Sequence, residues 1–165
     1  MRVRIMMLVV VVTAACVPLT ASETQQAAVA VAQEGGRIYT ACVTFSEPEL
    51  TGVQLLERSG LTIGMDAGNS AGVLVCSIDG LGCNYPTEDC FCQCSGGGTC
   101  TYWAYFNQSP EGRWTYAPLG ASGRKVHQGD VDLWAWISSG GVGDFNAEAL
   151  PSLTFEEICQ TEAAD

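Results

Sequence analysis

The stretch Val131-Asp132-Leu133-Trp134-Ala135-Trp136-Ile137 decides the fold. In a strand successive side chains point to opposite faces, so Val131, Leu133, Ala135 and Ile137 share one side and Trp134 and Trp136 share the other. The aliphatic side is core. The tryptophan side is either covered by a helix or loop, or left partly open as a binding surface. Tyr102-Trp103-Ala104-Tyr105-Phe106 alternates in the same way. It sends Tyr102, Ala104 and Phe106 to one face and Trp103 and Tyr105 to the other. A further aromatic strand over 113–116 carries Trp114 and Tyr116 on one side, after the turn Ser109-Pro110-Glu111-Gly112.

Upstream, Asp79-Gly80 is a strong hairpin signal, because both residues tolerate the positive φ of a two-residue turn. The turn pairs Ile78 with Leu81, Ser77 with Gly82 and Cys76 with Cys83, placing the two thiols opposite one another within disulfide reach. Short strands are expected over 37–45, 61–65 and 72–78. Thr51 can cap a short helix whose apolar face is Val53, Leu55 and Leu56 and which Gly60 ends. Gly120-Ala121-Ser122-Gly123 reads as a turn, and a tail helix over 154–159 packs back through Cys159. The fold class is α+β: a small mixed sheet with one packed helix, stapled by disulfides. Its divisions are a leader at 1–22, a flexible tether at 23–36, the domain at 37–139 and a tail at 140–165.

Arg2 and Arg4 precede an unbroken apolar run from Ile5 to Val12, too short to span a bilayer and of the length of a secretory h-region. Thr13-Ala14-Ala15-Cys16 resembles a bacterial lipobox, which would lipidate Cys16; ordinary cleavage near Ser22 or Ala30 would leave no lipid. Of the nine cysteines, setting Cys16 aside leaves Cys42, Cys76, Cys83, Cys90, Cys92, Cys94, Cys100 and Cys159. An even set in a small domain reads as a disulfide framework and implies an oxidising, extracytoplasmic compartment. The net charge of −11 falls to −13 once Arg2 and Arg4 leave with the leader. A surface of that sign repels phosphate backbones, which argues against nucleic-acid partners, and a membrane would be reached only through an N-terminal lipid.

Several of these segments together resemble the bacterial transcobalamin C-terminal-like family, related to the second domain of vertebrate cobalamin carriers. They are the helix at 51–59, the hairpin Ser77-Ile78-Asp79-Gly80-Leu81, the strand at 102–106, the turn Gly120-Ala121-Ser122 and Gly129-Asp130-Val131-Asp132-Leu133-Trp134. The resemblance implies a β-grasp-like fold and a surface that covers one side of a corrin ring. Tyr102, Trp103, Tyr105, Gly120, Ala121 and Ser122 would be its contacts. Trp114 and Trp134 join this set as neighbouring strand aromatics. The large helical domain of the carriers is absent, and the insert from Cys83 to Cys100 lies beside the ligand strand.

Catalytic patterns are weak. Gly68-Asn69-Ser70-Ala71-Gly72 matches a nucleophile elbow, but a strand rather than a helix should follow Ser70. His127, the sole histidine, sits in a polar loop. The Cys90-x-Cys92-x-Cys94 spacing suits neither zinc nor a redox pair, so no metal site is expected. The reading is therefore an exported, non-catalytic module that needs no cofactor. Its partner is a small amphipathic ligand, cobalamin or another corrinoid among the candidates. The alternative is a structural or protein-interaction domain of a cell-envelope lipoprotein.

Overall fold

The structure is a computed structural model that describes residues 24–94, 96, 98–117, 120–140 and 143–160. The expected leader and the expected lipidation site at Cys16 lie outside the described residues. In chain order the strands are β1 (Gln25–Ala32), β2 (Ile38–Phe45), β3 (Leu50–Thr51), β4 (Ile63–Asp66), β5 (Leu74–Ile78), β6 (Leu81–Gly82), β7 (Cys100–Gln108), β8 (Trp114–Tyr116), β9 (Lys125–Val126) and β10 (Val131–Ser139). The helices are α1 (Gly52–Glu57) and α2 (Phe155–Cys159). The main sheet runs β2-β1-β10-β7-β8. Its central pair, β1 with β10, is parallel and the other neighbours are antiparallel. This is the mixed α+β, β-grasp-like sheet expected from the sequence, with a second short helix. A smaller antiparallel sheet, β4-β5-β6, and the short pair β3-β9 pack beside it.

The tether expected over 23–36 is a strand for most of its length. Gln25–Ala32 occupies the middle of the sheet, with Val29 between Ala41 and Asp132. Ala27, Ala28, Val29, Ala30 and Val31 are at most 1 % exposed. A strand covered on both faces shows no apolar–polar alternation, so its run of Ala and Val carries no period to read. The sheet therefore includes Gln25–Ala32, upstream of Arg37.

Each face of the main sheet has its own cover. On one side Ala27, Val29, Val31, Trp103, Tyr105, Trp134 and Trp136 pack with Val53, Leu55 and Leu56 of α1 and with Val75 and Ile78 of the small sheet. On the other, Ala30, Leu133, Ala135, Tyr102, Ala104 and Phe106 pack with Phe145, Leu150 and Leu153 of the tail. The tryptophan side of β10 is thus interior: Trp134 is 4 % and Trp136 7 % exposed. Helix α1 needs only six residues because its entrance is tightly capped. The Thr51 hydroxyl accepts from Gln54 N–H while the Gln54 side chain accepts from Thr51 N–H. Burying Leu55 and Leu56 completely contributes about 1.5–3 kcal/mol each.

The Asp79-Gly80 hairpin has the expected register, Ile78 with Leu81 and Ser77 with Gly82. The Cys83 N–H also donates to the Cys76 carbonyl at 2.8 Å. The expected Cys76–Cys83 disulfide does not form. Gly82 has φ +127°, which turns the chain out of the ladder, and the following loop folds back over both thiols. Cys76 pairs with Cys90 and Cys83 with Cys92. Cys94 pairs with Cys100, and Cys42 of β2 with Cys159 of α2.

A chain starting at Arg37 should show no cooperative unfolding transition by circular dichroism, whereas one starting at Thr24 should melt cooperatively. The Cys42→Ser/Cys159→Ser variant removes a crosslink spanning 117 residues. It should lose about 4–5 kcal/mol of stability in denaturant titration, the loop-closure value for that length.

Candidate functional site

Along β7 the antiparallel ladder with β10 is continuous, with Tyr105 opposite Trp134 and Trp103 opposite Trp136. On its other edge β7 is only partly covered. Strand β8 pairs with Phe106, Asn107 and Gln108. The Ala117 N–H extends that pairing by donating to the Tyr105 carbonyl at 3.0 Å. At the far end, the Cys94–Cys100 bridge lets Thr101 N–H donate to the Gln93 carbonyl at 3.3 Å. Between these two points no described residue pairs with the edge of β7.

A pocket of about 180 Å³ sits at this gap. Tyr102, Trp103 and Tyr105 of β7 line it, with Trp134, Gly120 and Ala121. Residues from both faces of β7 meet there because the pocket lies at the strand's edge. The remaining walls are Ala71, Val73, Leu74, Val75, Phe91, Tyr116 and Ala117. Six of the eight residues singled out from the sequence therefore come together. Ser122 does something else: its hydroxyl accepts from the Val73 N–H at 2.9 Å, tying the turn to the small sheet. Trp114 lies apart, against the tail, where its indole N–H donates to the Pro151 carbonyl at 2.7 Å.

The pocket rests on a buried polar hub. Asp132, 1 % exposed, accepts from the Tyr105 hydroxyl, from Asn107 Nδ2 at 3.0 Å and from Arg124 Nε at 3.4 Å. Arg124 also pairs with Asp130 at 3.0 Å. Burial pushes the Asp132 carboxyl up, against the pull of Tyr105, Arg124 and Asn107. Burial lowers the Arg124 guanidinium, but Asp132 and Asp130 more than offset it. Because Arg124 follows the 120–123 turn, these bonds fix the turn against β7 and β10. Gly52 completes the fit: a Cβ there would run into the Tyr105 hydroxyl and crowd the Ala121 methyl.

The aromatic walls are held by contacts of their own. Tyr105 and Trp134 rings lie 4.6 Å apart, and Trp103 and Trp136 5.3 Å apart. Trp103 Nε1 donates to the Leu81 carbonyl at 3.0 Å, and the Tyr102 hydroxyl accepts from Gly143 N–H at 2.7 Å. Burial raises the Tyr105 phenol well above its ordinary value and pushes Tyr116 up to about 12. Both phenols stay neutral at physiological pH and act as hydrogen-bonding walls. Trp134 Nε1 differs from the rest: it is buried and has no hydrogen-bond acceptor among the described residues.

Elsewhere, Ser70 lies in an exposed turn that leads into β5, and His127 is exposed beside Glu49 and Asp130. Among the described residues no group of three or more His, Cys, Asp or Glu is placed to hold a metal ion. The hub was missed in the sequence, although a carboxylate at Asp132 amid an apolar strand is a signal for one. Phe91, Tyr116 and the 71–75 wall carried no such mark.

No family model matches the sequence, and no curated protein matches it significantly. Among solved structures, the chain is similar to a candidate metal-binding protein from Ruminococcus gnavus, at 14 % identity and a TM-score of 0.47. That match covers 70 % of this chain and 98 % of the other. It is also similar to haptocorrin in complex with Cbi, at 16 % identity and a TM-score of 0.46, over 72 % of this chain and 27 % of haptocorrin. The chain thus spans about a quarter of haptocorrin's length.

Replacing Tyr105 by Phe removes a hydrogen bond to a buried carboxylate. The variant should lose about 1.5–3 kcal/mol in denaturant titration, while its fluorescence spectrum shows the sheet still formed.

Proposed function

We propose that this protein is an extracytoplasmic, non-catalytic binding module that takes a protruding part of a small amphipathic ligand into the pocket at the edge of β7. One observation carries the reading: Tyr102, Trp103, Tyr105, Gly120, Ala121 and Trp134, distant in sequence, line one pocket. Apolar and aromatic walls with a few fixed polar groups are the usual make-up of ligand sites. A volume of about 180 Å³ is below the ~300–1,000 Å³ of sites that enclose a drug-sized molecule. The pocket would therefore seat an edge or side group and leave the bulk of the ligand outside. A corrinoid touched on one side is compatible with that size. The four disulfides support maturation in an oxidising compartment.

A second reading is favoured by burial. Trp103, Tyr105, Trp134 and Trp136 are all at most 7 % exposed, as they would be in a structural or protein-interaction domain of an envelope lipoprotein without a small ligand. Titration with cobalamin separates the readings. Binding should quench tryptophan emission saturably after inner-filter correction, and Ala121→Trp, which fills the pocket, should abolish the quenching. No quenching at millimolar cobalamin removes the corrinoid from the proposal. If a fragment set of planar apolar amides, ketones and alcohols also leaves the Trp103 and Ala121 amide resonances unmoved, the binding reading itself falls.

A further inference from the structure

The open edge of β7 has a definite chemistry. Backbone polar groups of an extended strand point alternately to its two sides, so residues two apart face the same neighbour. Thr101 donates its N–H to Gln93, and Tyr105 receives the Ala117 N–H on its carbonyl, both on the edge away from β10. Trp103, midway between them, must turn its own N–H and C=O to that same edge. There, among the described residues, it has no backbone partner, because β8 stops short at Phe106 and the Cys94 bridge stops at Cys100. Trp103 also lines the pocket. A paired donor and acceptor are thus presented where the aromatic walls meet.

The gap is too short for an added strand. Cys94 closes one end and Ala117 the other, leaving Tyr102, Trp103 and Ala104 between, roughly 10 Å of extended chain. A single amide group fits such a span. A primary carboxamide or a lactam carries its C=O and N–H side by side on one edge, complementary to the N–H and C=O of one extended residue. Trp134 supplies a second indication. It belongs to the same wall, and among the described residues its buried indole N–H lacks the acceptor that such groups nearly always find.

We propose that the pocket recognises a carboxamide or lactam group borne on a planar apolar ligand, through the Trp103 peptide N–H and C=O and the indole N–H of Trp134. This rests on the binding reading above and specifies its ligand class.

The test uses two fragments of the same shape, benzamide and acetophenone, titrated into the disulfide-intact domain. Binding is read from 1H–15N resonances of the Trp103 amide and the Trp134 indole. Benzamide should shift both resonances downfield. Acetophenone, which keeps the acceptor but lacks the donor, should bind about tenfold more weakly, the loss expected for one hydrogen bond left unmade. Trp134→Phe keeps an aromatic wall and removes the indole donor; it should weaken benzamide several-fold, with its melting curve checking the fold. If the two fragments bind equally, or the Trp103 amide does not respond, the carboxamide assignment is wrong while binding at the pocket stands. If neither fragment moves any pocket resonance, both the assignment and the binding reading are overturned.

Discussion

The parallel pairing of β1 with β10 is the constraint on which everything else depends. It sets Ala28 beside Val131, about a hundred residues away in the chain, and places both strands at the centre of the sheet. Parallel neighbours cannot be joined by a tight turn, so the intervening chain must leave the sheet and return. After β2 the chain runs out through α1, the small sheet and the cysteine-rich loop, and rejoins the sheet with β7 and β8 before β10. The pocket is therefore built from the connection, but its back wall, Trp134, belongs to the central pair.

The same arrangement explains why β10 carries a carboxylate in its interior. Asp132 stands on the covered face beside Tyr105 and Asn107, and Arg124 reaches it from the chain just before β9. Removing a charge from water is costly unless donors replace the lost hydration, and here three side chains do so. The hub holds a loop against a sheet edge where the ladder itself is missing. Apolar packing could fill that space, but it would not fix the direction of the 120–123 turn.

The strands with clear alternation were legible in the sequence, and so was the helix with an explicit cap. Trp134 and Trp136 against Leu133 and Ala135 set the faces of β10, and Thr51 marked the start of α1, where the structure adds Gln54 as the other half of the cap. The Asp79-Gly80 turn fixed its register to the residue. Residues 25–32 were illegible because periodicity reports a difference between two environments, and both faces of β1 are equally dry. The disulfide partners of Cys76 and Cys83 were hidden for another reason. They depend on how the 84–94 loop folds back, which no local pattern encodes. In the site, the resemblance pointed to Tyr102, Trp103 and Tyr105 and aromatic residue type to Trp134, but residue type could not tell Trp134 from Trp114, which faces the tail.

The four crosslinks divide into two kinds. One joins positions 117 apart, whereas the others close spans of only 14, 9 and 6 residues, all in the segment beside Phe91 and the pocket mouth. Short spans restrict the unfolded chain less, by about 2–3 kcal/mol for roughly eightfold-to-twentyfold shorter loops on chain-entropy grounds. Their leverage is local: they hold a polar, glycine-bearing loop in one shape where little apolar surface could do so. Thermal endurance and the shape of the pocket mouth are thus under separate covalent control, and selection could alter one without disturbing the other.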